Sequence, residues 1–168
     1  MSSTTLQSQV KPEVVYISRV QVEPRSGGLK LVQMPVDTEP VPMGMFGTVA
    51  AHYKVAEGTY TPHATALDYV VGAAAACLTG TLNRALQVRK IATDGGRLMS
   101  EAFGEVEVED GVLVIRRIRV LAHLRAAESQ RETAERVIAV YASGCPVYRS
   151  IHKAIDITTE LDFQPISQ

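Results

Sequence analysis

The chain of 168 residues has the composition of an ordinary globular protein, with 46% hydrophobic and 21% charged residues. Its formal net charge of −1 gives no overall field to attract nucleic acid or anionic lipid, so we predict no nucleic-acid partner. The N-terminal residues lack a secretory-signal pattern and no window holds about 18 uninterrupted apolar residues, so we predict no membrane partner and a cytoplasmic location.

The first part of the chain is predicted to form short strands. The total length is typical of one domain, and we predict a flexible tail over residues 1–10 and a single domain over residues 11–168. β-branched residues predict a strand from Val14 to Val22, and EPRSGG then has the composition of a turn. LKLVQM is predicted as the returning strand.

The pattern next leads from a third strand into a long central helix. PVDTEPVPMG contains three prolines and predicts a loop or an irregular sheet edge, and MFGTVAAHYKV is predicted as a third strand. Thr65 and Asp68 have the Ser/Thr-x-x-acid spacing of a helix N-terminus, and the helix is predicted to run to about Val88.

Small and apolar residues cover nearly every side of this central helix through Ala76. We therefore expect the helix to be buried rather than amphipathic. Ala73–Ala76 come immediately before Cys77, and their small side chains would let another helix or a sheet approach the backbone closely.

The clearest hairpin pattern is FGEVEVEDGVLVIRRIRVLAHL, in which Asp110-Gly111 supplies the residues of a type I′ turn. Apolar residues fall on one parity before Arg116-Arg117 and on the other parity after it. A one-residue bulge at Arg116-Arg117 would keep both halves facing the same side, and a longer turn would serve as well.

The last third is predicted to contain two helices and a strand. ESQRETAERVIAVYASG has the spacing of an amphipathic helix, and Gly144 is predicted to end it in a left-handed conformation. Cys145 precedes Pro146, a residue favoured at the first position of a helix, so Cys145 is predicted to cap a short helix. The alternating IDITTELDF is predicted as the final strand.

The two cysteines have different predicted surroundings. A helix N-terminus favours the thiolate, which by itself would make Cys145 the more acidic thiol. Cys77 lies within a buried helix, where burial raises the pKa of a thiol unless a cation is close. Either cysteine could also be a small packing residue, which is the usual role of a free cysteine.

The sequence gives no sign of a metal or of a nucleotide cofactor, and we predict neither. The four histidines form no HExxH pattern and the two cysteines no CxxC pattern. No glycine-rich phosphate-binding loop follows a predicted strand.

The ordered combination of these elements resembles the OsmC/Ohr family, named for osmotically inducible protein C and organic hydroperoxide resistance protein. The resemblance extends from about Val14 to Phe163. Its specific part is a cysteine after two alanines in a helix and a Cys-Pro pair at a helix start, 68 residues apart. The segments that carry it are TALDYVVGAAAACLTGTL, VLVIRRIRV and CPVYRSI.

The resemblance implies an α+β fold in which antiparallel sheets wrap around buried central helices of an intertwined homodimer. It also implies a thiol-dependent peroxidase that reduces organic hydroperoxides. Cys77 matches the peroxidatic cysteine, which becomes a sulfenic acid, and Cys145 matches the resolving cysteine, which then forms a disulfide with it. A dithiol partner, either a lipoylated protein or a thioredoxin-like protein, would restore both thiols.

The resemblance further implies an arginine that stabilises the Cys77 thiolate, and Arg25 is the best positional match, with Arg19 as the alternative. An arginine suits this role because its guanidinium stays protonated and its fork can bond sulfur and oxygen together. The family's acidic partner of that arginine corresponds to Leu67 here, beside Asp68, which is better explained as part of the helix cap.

Two functions are therefore expected, and they belong to different classes. The first is the peroxidase, for which an apolar lining from Tyr69, Val70, Val71 and Leu78 would favour lipid-like or aryl peroxides over hydrogen peroxide. The alternative is a non-catalytic protein of the same fold that binds small apolar molecules in the dimer cleft, with packing cysteines. The absence of an acid at Leu67 favours this alternative, and the two retained cysteines favour the enzyme.

Overall fold

The computed structural model describes residues 13–166 and divides the chain into two compact units. The first unit covers Met1–His63 and the second covers Ala64–Gln168. The tail predicted over residues 1–10 lies outside the described residues.

The first unit is a small antiparallel sheet followed by one short helix. Its strands pair in the order β1-β2-β3, and a single 3₁₀ turn, Ser26–Gly28, joins β1 to β2. The elements are β1 (Gln21–Pro24), β2 (Lys30–Gln33), β3 (Val41–Met43) and α1 (Gly47–His52).

Two predictions for the first unit are wrong. The strand predicted from Val14 to Val22 begins only at Gln21, because the described residues before it have no neighbouring strand with which to pair. The third strand predicted over MFGTVAAHYKV is instead the helix α1, in which Ala50 is buried. The third strand of the sheet is β3, within the proline-rich segment that was predicted as a loop or an irregular edge. It lies at an edge of the sheet, where proline is tolerated.

The second unit packs two helices against a three-stranded sheet of order β4-β5-β6, and a third helix packs on the first of these two. Strands β4 and β5 are antiparallel, whereas β6 runs parallel to β5 after the intervening helices. The elements are α2 (Ala66–Val88), β4 (Leu98–Glu109), β5 (Val112–Ala126), α3 (Arg131–Ile138), α4 (Pro146–Ile151) and β6 (Asp156–Pro165). Sheets and helices together confirm the predicted α+β class, but the parallel pairing of β5 with β6 makes this sheet mixed rather than antiparallel as predicted.

The hairpin β4–β5 forms as predicted, including its bulge. Asp110 and Gly111 have φ angles of 49° and 82°, which are the positive values that a type I′ turn requires. Glu105 pairs with Arg117, but Val106 pairs with Ile115, so one extra residue, Arg116, stands in β5. The bulge keeps the apolar residues of both halves on the side that faces α2.

The core of the second unit lies between α2 and β5. One stripe of α2 is buried, and so are the inward-facing residues of β5. The stripe consists of Ala74, Leu78, Leu82 and Leu86, and the β5 residues are Ile118, Val120, Ala122 and Leu124.

The prediction that α2 is buried on nearly all sides does not hold within one chain. Tyr69, Val70, Ala73 and Ala76 are exposed on the side away from the core. Between Tyr69 and Ala76 the helix is apolar or small on every side, but the elements of its own unit cover only one side of it. An uncovered apolar helix face of this kind is a feature of surfaces that bind another protein.

The amphipathic helix predicted before Cys145 is shorter than expected. Helix α3 ends at Ile138, and a separate 3₁₀ turn, Tyr141–Gly144, leads to Cys145. The prediction that Gly144 adopts a left-handed conformation is wrong, since its φ is not positive. The 3₁₀ turn leads directly into the start of α4, so the chain enters that helix without a residue in the left-handed conformation.

Gly104 of β4 allows α2 to approach the sheet closely. A Cβ atom at this position would lie 2.4 Å from Cγ2 of Val71 on α2. We therefore expect Gly104→Ala to lower the free energy of unfolding by about 1–3 kcal/mol, the usual cost of overpacking. Urea unfolding would measure the loss, and the double variant Gly104→Ala/Val71→Ala should recover part of it. Equal stability of Gly104→Ala and the parent protein would contradict this account.

Candidate active site

The structure brings the two cysteines together at one site in the second unit. Cys77 lies in the middle of α2, and Cys145 is the N-cap residue of α4. Their side chains are within hydrogen-bonding range of each other, and neither is in a disulfide. Residues 68 positions apart in the sequence therefore meet because α4 packs on α2.

Cys145 is held rigidly at its helix start. The Sγ atom accepts a hydrogen bond from the backbone N–H of Tyr148 at 3.5 Å, as expected of an N-cap residue. Pro146 occupies the first helical position, as predicted. The Cys145 side chain is 0% exposed, whereas Cys77 is only half-buried. An external reagent therefore reaches Cys77 more readily than Cys145.

Burial raises the pKa of the Cys145 thiol, which is the opposite of what its helix N-terminal position led us to expect. The hydrogen bond from Tyr148 lowers this pKa, but it does not outweigh burial, and the neighbouring Cys77 sulfur raises the pKa further. Cys145 is therefore a protonated thiol at neutral pH. A protonated, buried thiol is poorly suited to attack a peroxide, since the thiolate is the nucleophile.

Two further side chains complete the surroundings of Cys145, and the sequence analysis missed both. The hydroxyl of Thr81 donates to the carbonyl oxygen of Cys77 at 2.9 Å and is also within hydrogen-bonding range of the Cys145 sulfur. Tyr141 is buried, which raises the pKa of its phenol to about 12, and Thr159 provides a hydrogen bond. Thr81 follows Cys77 by four residues, or one helical turn, but the sequence does not show that this turn lies against Cys145.

The four apolar residues predicted to line a substrate pocket have different surroundings on α2. Leu78 is 0% exposed in the core, so the expectation that it lines a substrate pocket is wrong. Val71 lines a groove of about 410 Å³ between α2 and β4. Tyr69 and Val70 are exposed, and Val70 precedes Cys77 by two helical turns on the same side of α2. They remain the apolar candidates for contact with a substrate.

Arg25 belongs to the first unit, whereas both cysteines belong to the second. It immediately precedes the 3₁₀ turn after β1 and forms an exposed ion pair with Glu23 at 2.8 Å. Arg19 is also exposed, in the segment before β1. Such an exposed pair contributes little to stability, so the pairing with Glu23 leaves Arg25 available for another role.

The Asp68 side chain forms part of the capping box of α2, as the sequence indicates. Its carboxylate accepts hydrogen bonds from the backbone N–H and the hydroxyl of Thr65, both at 2.7 Å. The Asp68 N–H donates in return to the Thr65 hydroxyl at 3.2 Å. The neighbouring Leu67, at the position where an acid was expected, packs against the core.

We expect Asp68→Ala to lower the free energy of unfolding by about 0.5–2 kcal/mol, because it removes the carboxylate half of the capping box. Asp68→Glu is the matched control, since glutamate at this position also forms a capping box. Chemical denaturation would measure the loss. An Asp68→Ala variant as stable as the parent protein would show that the carboxylate adds nothing to the cap.

A family model described as OsmC-like protein matches residues 58–160, which is more than half of the chain. The chain belongs to the OsmC-like protein family. The match covers the whole segment from the capping box to β6 and therefore includes both cysteines.

Solved structures of OsmC-like proteins share the fold across nearly the whole chain. An OsmC-like protein of unknown function from Vibrio cholerae matches with a TM-score of 0.67 at 8% identity, covering 88% of this chain and 100% of that one. An OsmC-like protein from Mycoplasma pneumoniae matches with a TM-score of 0.65 at 12% identity, covering 92% and 100%. The organic hydroperoxide resistance protein OhrB of Bacillus subtilis matches with a TM-score of 0.60 at 16% identity, covering 89% and 100%.

No curated protein matches the sequence. Within residues 13–166, no helix is long and apolar enough to cross a membrane. No group of three or more His, Cys, Asp or Glu side chains in the same part of the chain could hold a metal ion.

Proposed function

We propose that this OsmC-like protein is a thiol-dependent peroxidase that reduces organic hydroperoxides through Cys77 and Cys145. The observation that carries the proposal is the pairing of a half-buried thiol with a fully buried one at hydrogen-bonding range. A cysteine pair with this asymmetry suits a two-step reaction, since one thiol is reachable by a substrate and the other only by its neighbour. The organic hydroperoxide resistance proteins of the same fold support the choice of substrate class.

The proposed reaction begins with attack of the Cys77 thiolate on the outer peroxide oxygen. An S–O bond forms, the O–O bond breaks, and the alkoxide takes a proton and leaves as an alcohol. The Cys145 sulfur then attacks the sulfenic acid of Cys77, so that an S–S bond forms, the S–O bond breaks, and water leaves. A dithiol finally reduces the disulfide to two thiols and becomes a disulfide itself.

We propose a lipoylated or thioredoxin-like protein as the dithiol reductant. Both supply two thiols from one molecule, which is what release of an intramolecular disulfide requires. Two cysteines without a disulfide also suit the cytoplasm, where such reductants keep thiols reduced.

We also propose that the working protein is a homodimer. Two observations support this: the exposed apolar side of α2, which includes Tyr69 and Val70, and the exposed apolar residues of the segment before β1. That segment contains Val14, Val15 and Ile17, which are 75%, 93% and 81% exposed. A single chain therefore leaves apolar area uncovered that a second copy could bury.

Comparison of peroxide substrates tests the proposed function. With an excess of a small dithiol, cumene hydroperoxide should be consumed at least about tenfold faster per enzyme than hydrogen peroxide, because the side of α2 around Cys77 is apolar. Faster consumption of hydrogen peroxide would overturn the substrate preference, and consumption of neither peroxide would overturn the activity.

Arg25 is the proposed guanidinium of the site, and Arg19 is the matched alternative. We expect Arg25→Met to slow hydroperoxide consumption by about 10–100-fold, since a cation beside a thiol favours the thiolate that attacks the peroxide. Arg19→Met should leave the rate within about twofold. The rate of alkylation of Cys77 as a function of pH would measure the cause directly. The reverse pattern would assign the role to Arg19.

The alternative function is a non-catalytic protein that binds small apolar molecules. The observation that favours it is the placement of Leu67 against the core, which leaves no acid at the expected position. Reactivity of the native thiols separates the two proposals. An enzyme should show fast alkylation of Cys77 at neutral pH, whereas a binding protein should show both cysteines protected until it unfolds.

A further inference from the structure

We infer that Thr81 controls the second step of the reaction, by turning its hydroxyl from the Cys77 carbonyl to the Cys145 sulfur as the disulfide forms. The inference rests on the proposed peroxidase function, because it concerns the step in which Cys145 attacks the oxidised Cys77.

Thr81 lies beside both cysteines. It follows Cys77 by one turn of α2, and its Oγ1 donates to the Cys77 carbonyl oxygen at 2.9 Å. Its methyl carbon Cγ2 lies 3.7 Å from the position of a Cβ atom on Gly144, the residue before Cys145. The threonine side chain is therefore fixed between the helix that carries one thiol and the turn that leads to the other.

The buried position of Cys145 makes a hydrogen-bond donor necessary for its reaction. A thiol that is 0% exposed has no water to stabilise the negative charge that its sulfur acquires when it attacks. The Tyr148 N–H is one donor, at 3.5 Å from Sγ, but it does not outweigh the effect of burial on the Cys145 pKa. The hydroxyl of Thr81 is the second donor within range, and it lowers the pKa of Cys145.

The ionisable groups that face Cys145 do not replace this donor. Cys77 raises the pKa of Cys145 rather than lowering it, and the hydrogen bond of the buried Tyr141 is made with Thr159. Neither group lies on the same element as Cys145: Cys77 belongs to α2 and Tyr141 to the 3₁₀ turn. The hydroxyl of Thr81 carries no charge, so its hydrogen bond is available at every pH at which the protein is folded.

Formation of the disulfide requires the transfer of one proton. The Cys145 S–H bond breaks as its sulfur forms the S–S bond with Cys77, and the proton joins the hydroxide that leaves the Cys77 sulfenic acid. The product is one disulfide and one water. During the step the Thr81 hydroxyl donates to the charged Cys145 sulfur, and afterwards it can return to the Cys77 carbonyl.

Thr81→Val is the test, and Thr79→Val is a matched control. Thr79 lies on the same helix and donates the same kind of hydrogen bond, from its Oγ1 to the Ala75 carbonyl at 2.8 Å. The reduced proteins are mixed with one equivalent of cumene hydroperoxide and quenched at intervals for intact mass. We expect Thr81→Val to form sulfenic acid at the parent rate but to convert it to disulfide about tenfold more slowly. Thr79→Val and Thr81→Ser should behave like the parent.

A second readout makes the inference independent of peroxide chemistry. In a Cys77→Ala background, the thiolate absorbance of Cys145 is titrated with and without Thr81→Val, and we expect the substitution to raise the midpoint by about one pH unit. Unchanged disulfide formation together with an unchanged midpoint would overturn the role of Thr81. A parent protein that does not react with the hydroperoxide would overturn the proposed function, while the titration would still report on the hydrogen bond.

Discussion

Replacing Cys77 by serine is expected to lower hydroperoxide consumption by about a thousandfold or more, the scale of losing a catalytic nucleophile. A serine hydroxyl remains protonated at neutral pH and does not attack a peroxide oxygen, whereas a thiolate does. The assay is the consumption of cumene hydroperoxide in the presence of a small dithiol.

The fold should survive this substitution. Cys77 is half-buried, and serine differs from cysteine by one atom, so far-ultraviolet circular dichroism should be unchanged. Retention of more than a tenth of the parent activity by folded Cys77→Ser would show that another residue attacks the peroxide.

Replacing Cys145 by serine is expected to stop the reaction after its first step. Serine is a good N-cap residue, so the start of α4 should be preserved. Without a second thiol, the sulfenic acid at Cys77 has no partner and accumulates. One equivalent of cumene hydroperoxide without reductant should therefore add about 16 Da, the mass of one oxygen, and a sulfenic-acid reagent should label Cys77.

The parent protein provides the control for this experiment, since it should lose mass rather than gain it. Disulfide-linked dimers in Cys145→Ser would show that Cys77 of two chains can react with each other. Absence of any oxidised product, with the peroxide left unconsumed, would contradict the assignment of Cys77 and Cys145 to successive steps.

Local sequence signals predicted several parts of the second unit well. The capping box of Thr65 and Asp68, the turn at Asp110-Gly111 and the bulge beside it all depend on residues close to one another in the sequence. Cys145 before Pro146 likewise defines a helix start without help from distant residues. Such features are predictable because steric and hydrogen-bond requirements act within one or two turns of chain.

The wrong predictions depend on distant parts of the chain. The segment from Val14 has strand-forming residues, but a strand also needs a neighbour, and the described residues provide none before Gln21. The residues around Ala50 are compatible with either a strand or a short helix, and the structure forms a helix. The apolar residues of α2 predict burial, but they do not reveal which side the same chain covers.

In the candidate site, too, local features were predictable and features that depend on distant residues were not. The sequence and its resemblance to the OsmC/Ohr family selected Cys77 and Cys145, and the two thiols do lie together. The direction of the Cys145 pKa shift was wrong, because the helix N-terminus is a local feature whereas burial depends on how α2 and the 3₁₀ turn pack around the thiol. Thr81 was missed for a similar reason, since its position becomes informative only when Gly144 and Cys145 lie against it.

The central claim is that Cys77 and Cys145 react with a hydroperoxide in sequence, and intact mass with a free-thiol count tests it most directly. Fully reduced protein is treated with one equivalent of cumene hydroperoxide and compared with untreated protein. The account predicts a loss of about 2 Da per chain and the disappearance of both thiols, as an intramolecular disulfide forms. Unchanged mass with two free thiols would contradict the peroxidase and favour the protein that binds small apolar molecules.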